Sequence, residues 1–150
     1  MFRKEPWVRI PPSPPNYCII KTMKFFHTAI TVNNIEESTL FYKEVFNLTV
    51  RTQGERPELG VKFIMLEDKN SVVIELFEHL HPIPLQDNLM DFSKVGIKHI
   101  AFIVDNIDEI IEKAINQGAK IIWQPKKGIT VKRIAFISDP NNIPIELVEL

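Results

Sequence analysis

Cysteine, long apolar runs and net charge are all scarce in this sequence of 150 residues. The single cysteine, Cys18, cannot form an internal disulfide, which argues against a disulfide-stabilised secreted protein. No apolar run reaches the ~18 residues that a membrane-spanning helix needs. Pro11 and Pro12 interrupt the N-terminal stretch where the apolar core of a secretory signal would lie. We therefore expect a cytoplasmic protein with no membrane partner.

The charge balance excludes a second group of functions. Lys and Arg total 18 against 19 Asp and Glu, so no net field attracts nucleic acid or anionic lipid. Hydrophobic residues make up 45% and charged residues 25% of the chain, which is typical of a globular protein. We expect a small-molecule substrate and no nucleic-acid partner.

An internal repeat is the strongest feature that is present. His27 and His99 are 72 positions apart, and Glu75 and Glu146 are 71 apart. The flanking sequences repeat as well, since Ile74-Glu75-Leu76 in the first half corresponds to Ile145-Glu146-Leu147 in the second. Two copies of one supersecondary unit, each with a His near its start and a Glu near its end, indicate a pseudo-twofold site.

Hydrophobic periodicity predicts the same order of elements in both halves, a β-α-β-β-β module. We expect an α+β fold in a domain of residues 23–150, with tandem modules at 24–78 and 97–150 and a linker between them. The first module is predicted to contain strands at 24–32, 47–53, 61–67 and 71–78 and a helix at 35–46. The second is predicted to contain strands at 97–104, 119–123, 130–138 and 143–149 and a helix at 107–117.

Residues 1–22 match neither repeat. Four closely spaced prolines around Ser13 predict an extended, disordered tail. An alternative hypothesis is that translation starts at Met23, just before the first predicted strand.

Strand alternation indicates what the repeated residues do. Glu75 shares its predicted strand face with Val73 and Phe77, where an unpaired carboxylate would be costly to bury. Each histidine or glutamate by itself is more simply a strand histidine or an edge charge, but four such coincidences at equivalent places favour a shared metal site. We therefore predict four metal ligands, namely His27, Glu75, His99 and Glu146.

Two imidazoles and two carboxylates differ from the thiolate-rich set of a structural zinc site. This set suits one divalent metal per site, with Zn or Ni favoured and Co, Mn or Fe as alternatives. The sequence leaves open whether one chain supplies all four ligands or a swapped dimer shares them.

The remaining charged residues are weaker candidates. Glu78 and Glu149 fall on the opposite strand face from the predicted ligands and are expected to be solvated. A small basic cluster is expected to be surface charge, or a clamp for an anionic substrate tail. The members of this cluster are Lys126, Lys127, Lys132 and Arg133.

Several motifs make residues 24–150 resemble the vicinal oxygen chelate superfamily, which includes glyoxalase I, methylmalonyl-CoA epimerase, extradiol dioxygenases and bleomycin-resistance proteins. The motifs are His27-x-Ala29, Phe41-Tyr42-x-x-Val45, the two Ile-Glu-Leu endings and Asp139-Pro140-Asn141. The resemblance is nearest to small bacterial members described as lactoylglutathione-lyase-like. It implies that each module forms half of a cup of mixed sheet around a divalent metal, and that the protein is a homodimer.

The resemblance also implies an activity. The ligand set His, Glu, His, Glu is similar to that of glyoxalase I, a lyase or isomerase that moves a proton between adjacent carbons through a metal-bound enediolate. Glu146 and Glu75 are the residues implied to move the proton. Epimerases of the methylmalonyl-CoA type usually carry Gln at the position of Glu75, which makes an acyl-CoA epimerase the alternative enzyme. The other alternative is a non-catalytic protein that binds a drug or metabolite.

Two positions depart from the glyoxalase I pattern. Many of those enzymes have an arginine four residues after the first ligand, where this chain has Thr31. The final turn, Asp139 to Asn142, lacks the usual glycine. Both departures argue against a glutathione conjugate as substrate.

Overall fold

The computed structural model describes residues 23–69 and 71–150, so the predicted tail at 1–22 lies outside the described part. In chain order, the first unit comprises β1 Thr28–Thr31, α1 Ile35–Phe46, β2 Thr49–Arg56, a 3-10 turn Pro57–Leu59, β3 Val61–Glu67 and β4 Val72–His79. The second comprises β5 Ile100–Ile103, α2 Ile107–Asn116, β6 Lys120–Lys127, β7 Arg133–Ser138 and β8 Pro144–Glu149. No helix in these ranges is long and apolar enough to span a membrane.

Each unit forms one mixed sheet of four strands. The strand orders are β1-β4-β3-β2 and β5-β8-β7-β6, so the two sheets have the same topology. The first strand of each unit pairs in parallel with its last strand, and all other pairs are antiparallel. The predicted α+β fold of two tandem β-α-β-β-β units is confirmed.

The element boundaries differ from the prediction at the strands. The first strand of each unit is shorter than predicted, because the parallel ladders begin only at Thr28 and Ile100. His27 and His99 therefore lie immediately before β1 and β5. Strand β6, in contrast, is longer than the predicted 119–123 and continues to Lys127. Its pairing with β7 is irregular, so its side chains do not alternate evenly between the two faces. Helix α1 has the predicted bounds, and the Asn34 side chain caps it by accepting from the Glu37 N–H.

One face of each sheet packs on the helices and the other face is open. In β4, Ile74 and Leu76 point to the helices and are fully buried, whereas Glu75 between them points to the open face. The same alternation holds in β8, where Ile145 and Leu147 flank Glu146. The core thus lies between the helices and the inner sheet faces, and the predicted ligands lie outside it.

The two units join through aromatic stacking and a buried polar network. Phe46 stacks on Phe102 with ring centroids 4.2 Å apart. The Tyr42 hydroxyl donates to Asp139 Oδ2 at 3.1 Å, and Asn141 Nδ2 donates to Ser38 Oγ at 2.9 Å. These contacts tie the final turn of the second unit to the helix of the first.

The final turn holds its shape without glycine. Asn142 adopts a left-handed conformation with φ 64°, which asparagine tolerates better than most residues. Asp139 Oδ1 accepts hydrogen bonds from the backbone N–H groups of Asn141 and Ile143, both at 2.8 Å. The missing glycine therefore leaves the turn intact.

Candidate metal centre

The first predicted pair comes together at the open face of the first sheet. The parallel ladder places Ala29 beside Glu75, and His27 lies two residues before Ala29 on the same face. His27 Nε2 is 3.1 Å from Glu75 Oε2, and the side chains are 22% and 8% exposed. The Glu75 carboxylate is thus almost removed from water and has an imidazole nitrogen as its neighbour.

The second pair repeats this geometry. Ala101 lies beside Glu146 in the ladder of β5 and β8, and His99 precedes Ala101 by two residues. His99 Nε2 is 3.2 Å from Glu146 Oε2, with side-chain exposures of 30% and 22%. This pair is therefore more open to solvent than the first, so the two glutamates are not equivalent in access.

The spacing within each pair fits two ligands of one divalent ion. Ligand atoms at about 2.0–2.2 Å from an ion and roughly 90–110° apart are separated by about 2.9–3.5 Å, and both pairs fall in this range. The Nδ1 atoms of His27 and His99 are buried and have no hydrogen-bond partner among the described residues. The carboxylate oxygen beside each Nε2 can accept a hydrogen bond from it, and a bound divalent ion would take the place of that proton, with the ring proton then carried by Nδ1.

The two pairs do not meet within one chain. Among residues 23–69 and 71–150, no three or more His, Cys, Asp or Glu side chains are close enough together to hold an ion. Each pair would supply one nitrogen and one oxygen to an ion, and we call each pair a half-site. Both half-sites face outward on open sheet faces, where a second molecule can reach them.

The half-sites differ in their neighbours. Met65 of β3 lies opposite Glu75, whereas Phe136 of β7 lies opposite Glu146. The Phe136 ring also contacts His99 edge to face, with centroids 5.1 Å apart. Phe26 makes a similar edge-to-face contact with His27, at 4.8 Å, so the two pairs differ in the residue opposite the glutamate and not in the ring beside the histidine.

The expectation that Glu78 and Glu149 are solvated is wrong. Glu78 Oε2 accepts from the Ile35 N–H at 2.6 Å, and Glu149 Oε2 accepts from the Ile107 N–H at 3.5 Å. Each glutamate thus binds the N-terminus of its own unit's helix, where a negative charge is favourable. Their role is to dock the helices on the sheets.

The basic cluster also divides into separate roles. Arg133 makes a two-pronged ion pair with Asp108, at 2.8 and 3.0 Å, and Lys132 pairs with Glu149. The hydrogen bond from Lys132 is the largest cause that lowers the pKa of Glu149 from its ordinary value. Only Lys126 points to the open face, where it lies over the Trp123 ring. Trp123 and Phe136 were missed in the sequence, because they meet through the pairing of β6 with β7, and that pairing is irregular.

Comparison with known proteins agrees with this architecture. Residues 26–136 match the model of the glyoxalase/bleomycin resistance protein/dioxygenase superfamily. This chain belongs to that superfamily. Many members of the superfamily are enzymes, and its members typically bind a divalent metal ion.

Individual relatives cover nearly the whole described chain. The lactoylglutathione lyase of Escherichia coli O157:H7 is 30% identical over 134 residues, which are 85% of this chain and 93% of that protein. The mitochondrial methylmalonyl-CoA epimerase of Dictyostelium discoideum is also 30% identical, over 84% of this chain and 78% of that protein. The crystal structure of a glyoxalase family protein from Bacillus cereus superposes with a TM-score of 0.73 at 20% identity, covering 89% of this chain and 98% of that one.

Proposed function

We propose that this superfamily member is a metal-dependent lyase or isomerase of the glyoxalase I type, which moves a proton between adjacent carbons of a small oxygenated substrate. The observation that carries the proposal is the repeated His-Glu half-site, in which nitrogen and oxygen are spaced as two ligands of one ion. The similarity to lactoylglutathione lyases supports it.

We further propose that the complete site forms between two copies of the chain. Each half-site has two ligands, and one chain does not bring the pairs together in its described residues. A homodimer that places His27 and Glu75 of one copy against His99 and Glu146 of the other would create two equivalent four-ligand sites. Zn and Ni suit this ligand set best, with Co, Mn and Fe as alternatives.

The two glutamates would have different roles in this reaction. A bound divalent ion would stabilise negative charge on a substrate oxygen as a Lewis acid. The Glu146 carboxylate would take the proton from one carbon and return it to the neighbouring carbon, because it is the more accessible of the two. Glu75, at 8% side-chain exposure, would mainly hold the ion, and it would accept or donate the proton when the reaction runs in reverse.

The substrate distinguishes the two enzymatic alternatives. The similarity to a methylmalonyl-CoA epimerase favours an acyl-CoA ester as the second candidate substrate. Against it, this chain has Glu75 where such epimerases usually carry Gln. A drug- or metabolite-binding protein without catalysis is the remaining alternative. We also propose that the protein is cytoplasmic and that residues 23–150 form its one metal-binding domain.

Metal analysis followed by a substrate panel tests this function. We expect purified protein to retain about one divalent ion per chain, and to turn over either a hemithioacetal or an acyl-CoA ester. Loss of the metal in His27→Ala and in His99→Ala, but not in the exposed His81→Ala control, would support the assigned ligands. A protein that holds no metal and binds a ligand without turnover would support sequestration instead.

A further inference from the structure

A row of aromatic rings leads away from Glu146 across the open face of the second sheet. The register places Phe136 opposite Glu146 and Trp123 opposite Phe136. The two rings meet edge to face, with centroids 4.6 Å apart. Phe136 is 3% exposed and Trp123 is 38% exposed, so the row runs from a covered floor to an accessible edge.

A free ammonium group ends this row. Lys126 Nζ lies 4.3 Å from the centroid of the Trp123 ring. Lys126 pairs with Ile134 in the ladder, which puts it on the open face, whereas Lys127 pairs with Arg133 and faces the other way. Among the described residues, no carboxylate lies within the 4.0 Å of an ion pair to Lys126, in contrast to Lys132 and Arg133. An ammonium has three N–H donors, and the contact with the ring face leaves some of these donors available for a ligand.

We propose that Trp123 and Lys126 form a substrate subsite that binds an apolar or aromatic segment followed by an anionic oxygen group such as a carboxylate. The inference rests on the proposed function, because it takes the reacting end of the substrate to lie at Glu146. Two strand spacings, about 10 Å, separate the backbones of Glu146 and Trp123, and the ammonium lies beyond the indole, 4.3 Å from its centroid. The substrate is therefore an elongated acid with adjacent oxygens at the opposite end.

The first unit does not offer the same path. Met65 lies opposite Glu75 and Thr52 lies opposite Met65, so that row contains neither a ring nor a cation. Arg56 does stack on an aromatic ring, 5.2 Å from the centroid of Phe63, but Phe63 lies opposite Phe77 rather than Glu75. Thr31 and its counterpart Ile103 supply no cation near the half-sites either. In the described part of the chain, Lys126 is thus the cation at the end of a row that begins at a predicted metal ligand.

Two matched arylhydroxamates test the subsite by binding rather than by activity. Benzohydroxamate carries adjacent oxygens on an aromatic ring, and 4-carboxybenzohydroxamate adds a carboxylate at the far end. Their affinities for the Zn(II)-loaded full chain are measured by calorimetry and by quenching of Trp123 fluorescence in a Trp7→Phe background, where Trp123 is the sole tryptophan. We expect the carboxylated probe to bind roughly 3- to 10-fold more tightly, as a partly exposed charge-assisted contact would give.

The variants separate the charge from the ring. Lys126→Met should abolish the preference for the carboxylated probe, Lys126→Arg should keep it, and the control Lys127→Met on the opposite face should leave it unchanged. Trp123→Leu should weaken both probes by about 3- to 10-fold, because both stack on the indole.

Equal affinities for the two probes, or a preference that survives in Lys126→Met, would overturn the subsite while leaving the metal site and the proposed function intact. A chain that binds neither zinc nor either probe would instead refute the proposed function, and the subsite with it.

Discussion

Glu146 and Glu75 occupy equivalent positions in the two units, but their surroundings differ in ways that favour different roles in the proposed reaction. Glu75 is nearly buried beside His27 and opposite the flexible, apolar Met65. Glu146 is more exposed and adjoins the aromatic row of Phe136 and Trp123. A residue that exchanges a proton with substrate must be reachable, which favours Glu146 for that role.

Replacing Glu146 with Gln tests this assignment. The amide keeps an oxygen for the metal but cannot accept a proton, so we expect kcat to fall by about 10²-fold or more with the fold unchanged. Turnover of whichever panel substrate proves active, together with metal content and circular dichroism, provides the measurement. Glu112→Gln, an exposed change on α2, is the control. Undiminished turnover in Glu146→Gln would remove this carboxylate from the reaction.

Tyr42 gives a second prediction, about stability. Its side chain is fully buried and its hydroxyl donates to Asp139. Burial, followed by the neighbouring Asp139 charge, holds the pKa of Tyr42 well above its ordinary value, so the hydroxyl keeps its proton. Tyr42→Phe removes one donor from a buried carboxylate and should lower the free energy of unfolding by about 1–3 kcal/mol.

Denaturant unfolding measures that loss, and a double-mutant cycle with Asp139→Asn shows whether it belongs to this contact. The combined variant should lose less than the sum of the single variants. Additive losses would mean that the hydroxyl and the carboxylate do not stabilise each other.

The packing of the helices on the sheets shows which features local sequence patterns can predict. The bounds of α1 follow from neighbouring residues and were predicted, and its Asn34 cap is also a local contact. The contacts of Glu78 with Ile35 and of Glu149 with Ile107 were missed, because the partners are 43 and 42 positions apart in the chain. Local periodicity locates an element, but contacts between distant elements depend on how the sheet is assembled.

Glu149 makes the docking of α2 sensitive to pH. Hydrogen bonds from Lys132 and the Ile107 N–H lower its pKa in the folded state below the ordinary 4.5. A lowered pKa stabilises the fold fully above about pH 4.5, and this contribution is lost as the pH falls through the folded-state value. Glu149→Gln should therefore lower the Tm at pH 7 and flatten its decline between about pH 5 and pH 3. Thermal unfolding across that range provides the measurement. A decline as steep as in the wild type would contradict the assigned contact.

The whole molecule presents its two half-sites on separate open faces. The repeat in the sequence correctly associates His27 with Glu75 and His99 with Glu146, because each pair lies within one unit. How the pairs combine could not be predicted, since that depends on the placement of one unit against another and on a second copy. In the proposed site, the four ligands come together only between two chains.

Mixing two inactive variants tests that claim most directly. His27→Ala and His99→Ala chains are unfolded together, refolded and assayed for bound metal, alongside each variant alone. In a shared site, a mixed dimer has one damaged pair of half-sites and one intact pair. We therefore expect each variant alone to hold almost no metal and the mixture to recover about a quarter of the wild-type content. A mixture that holds no more metal than the separate variants, while refolded wild type binds it fully, would contradict a site shared between chains.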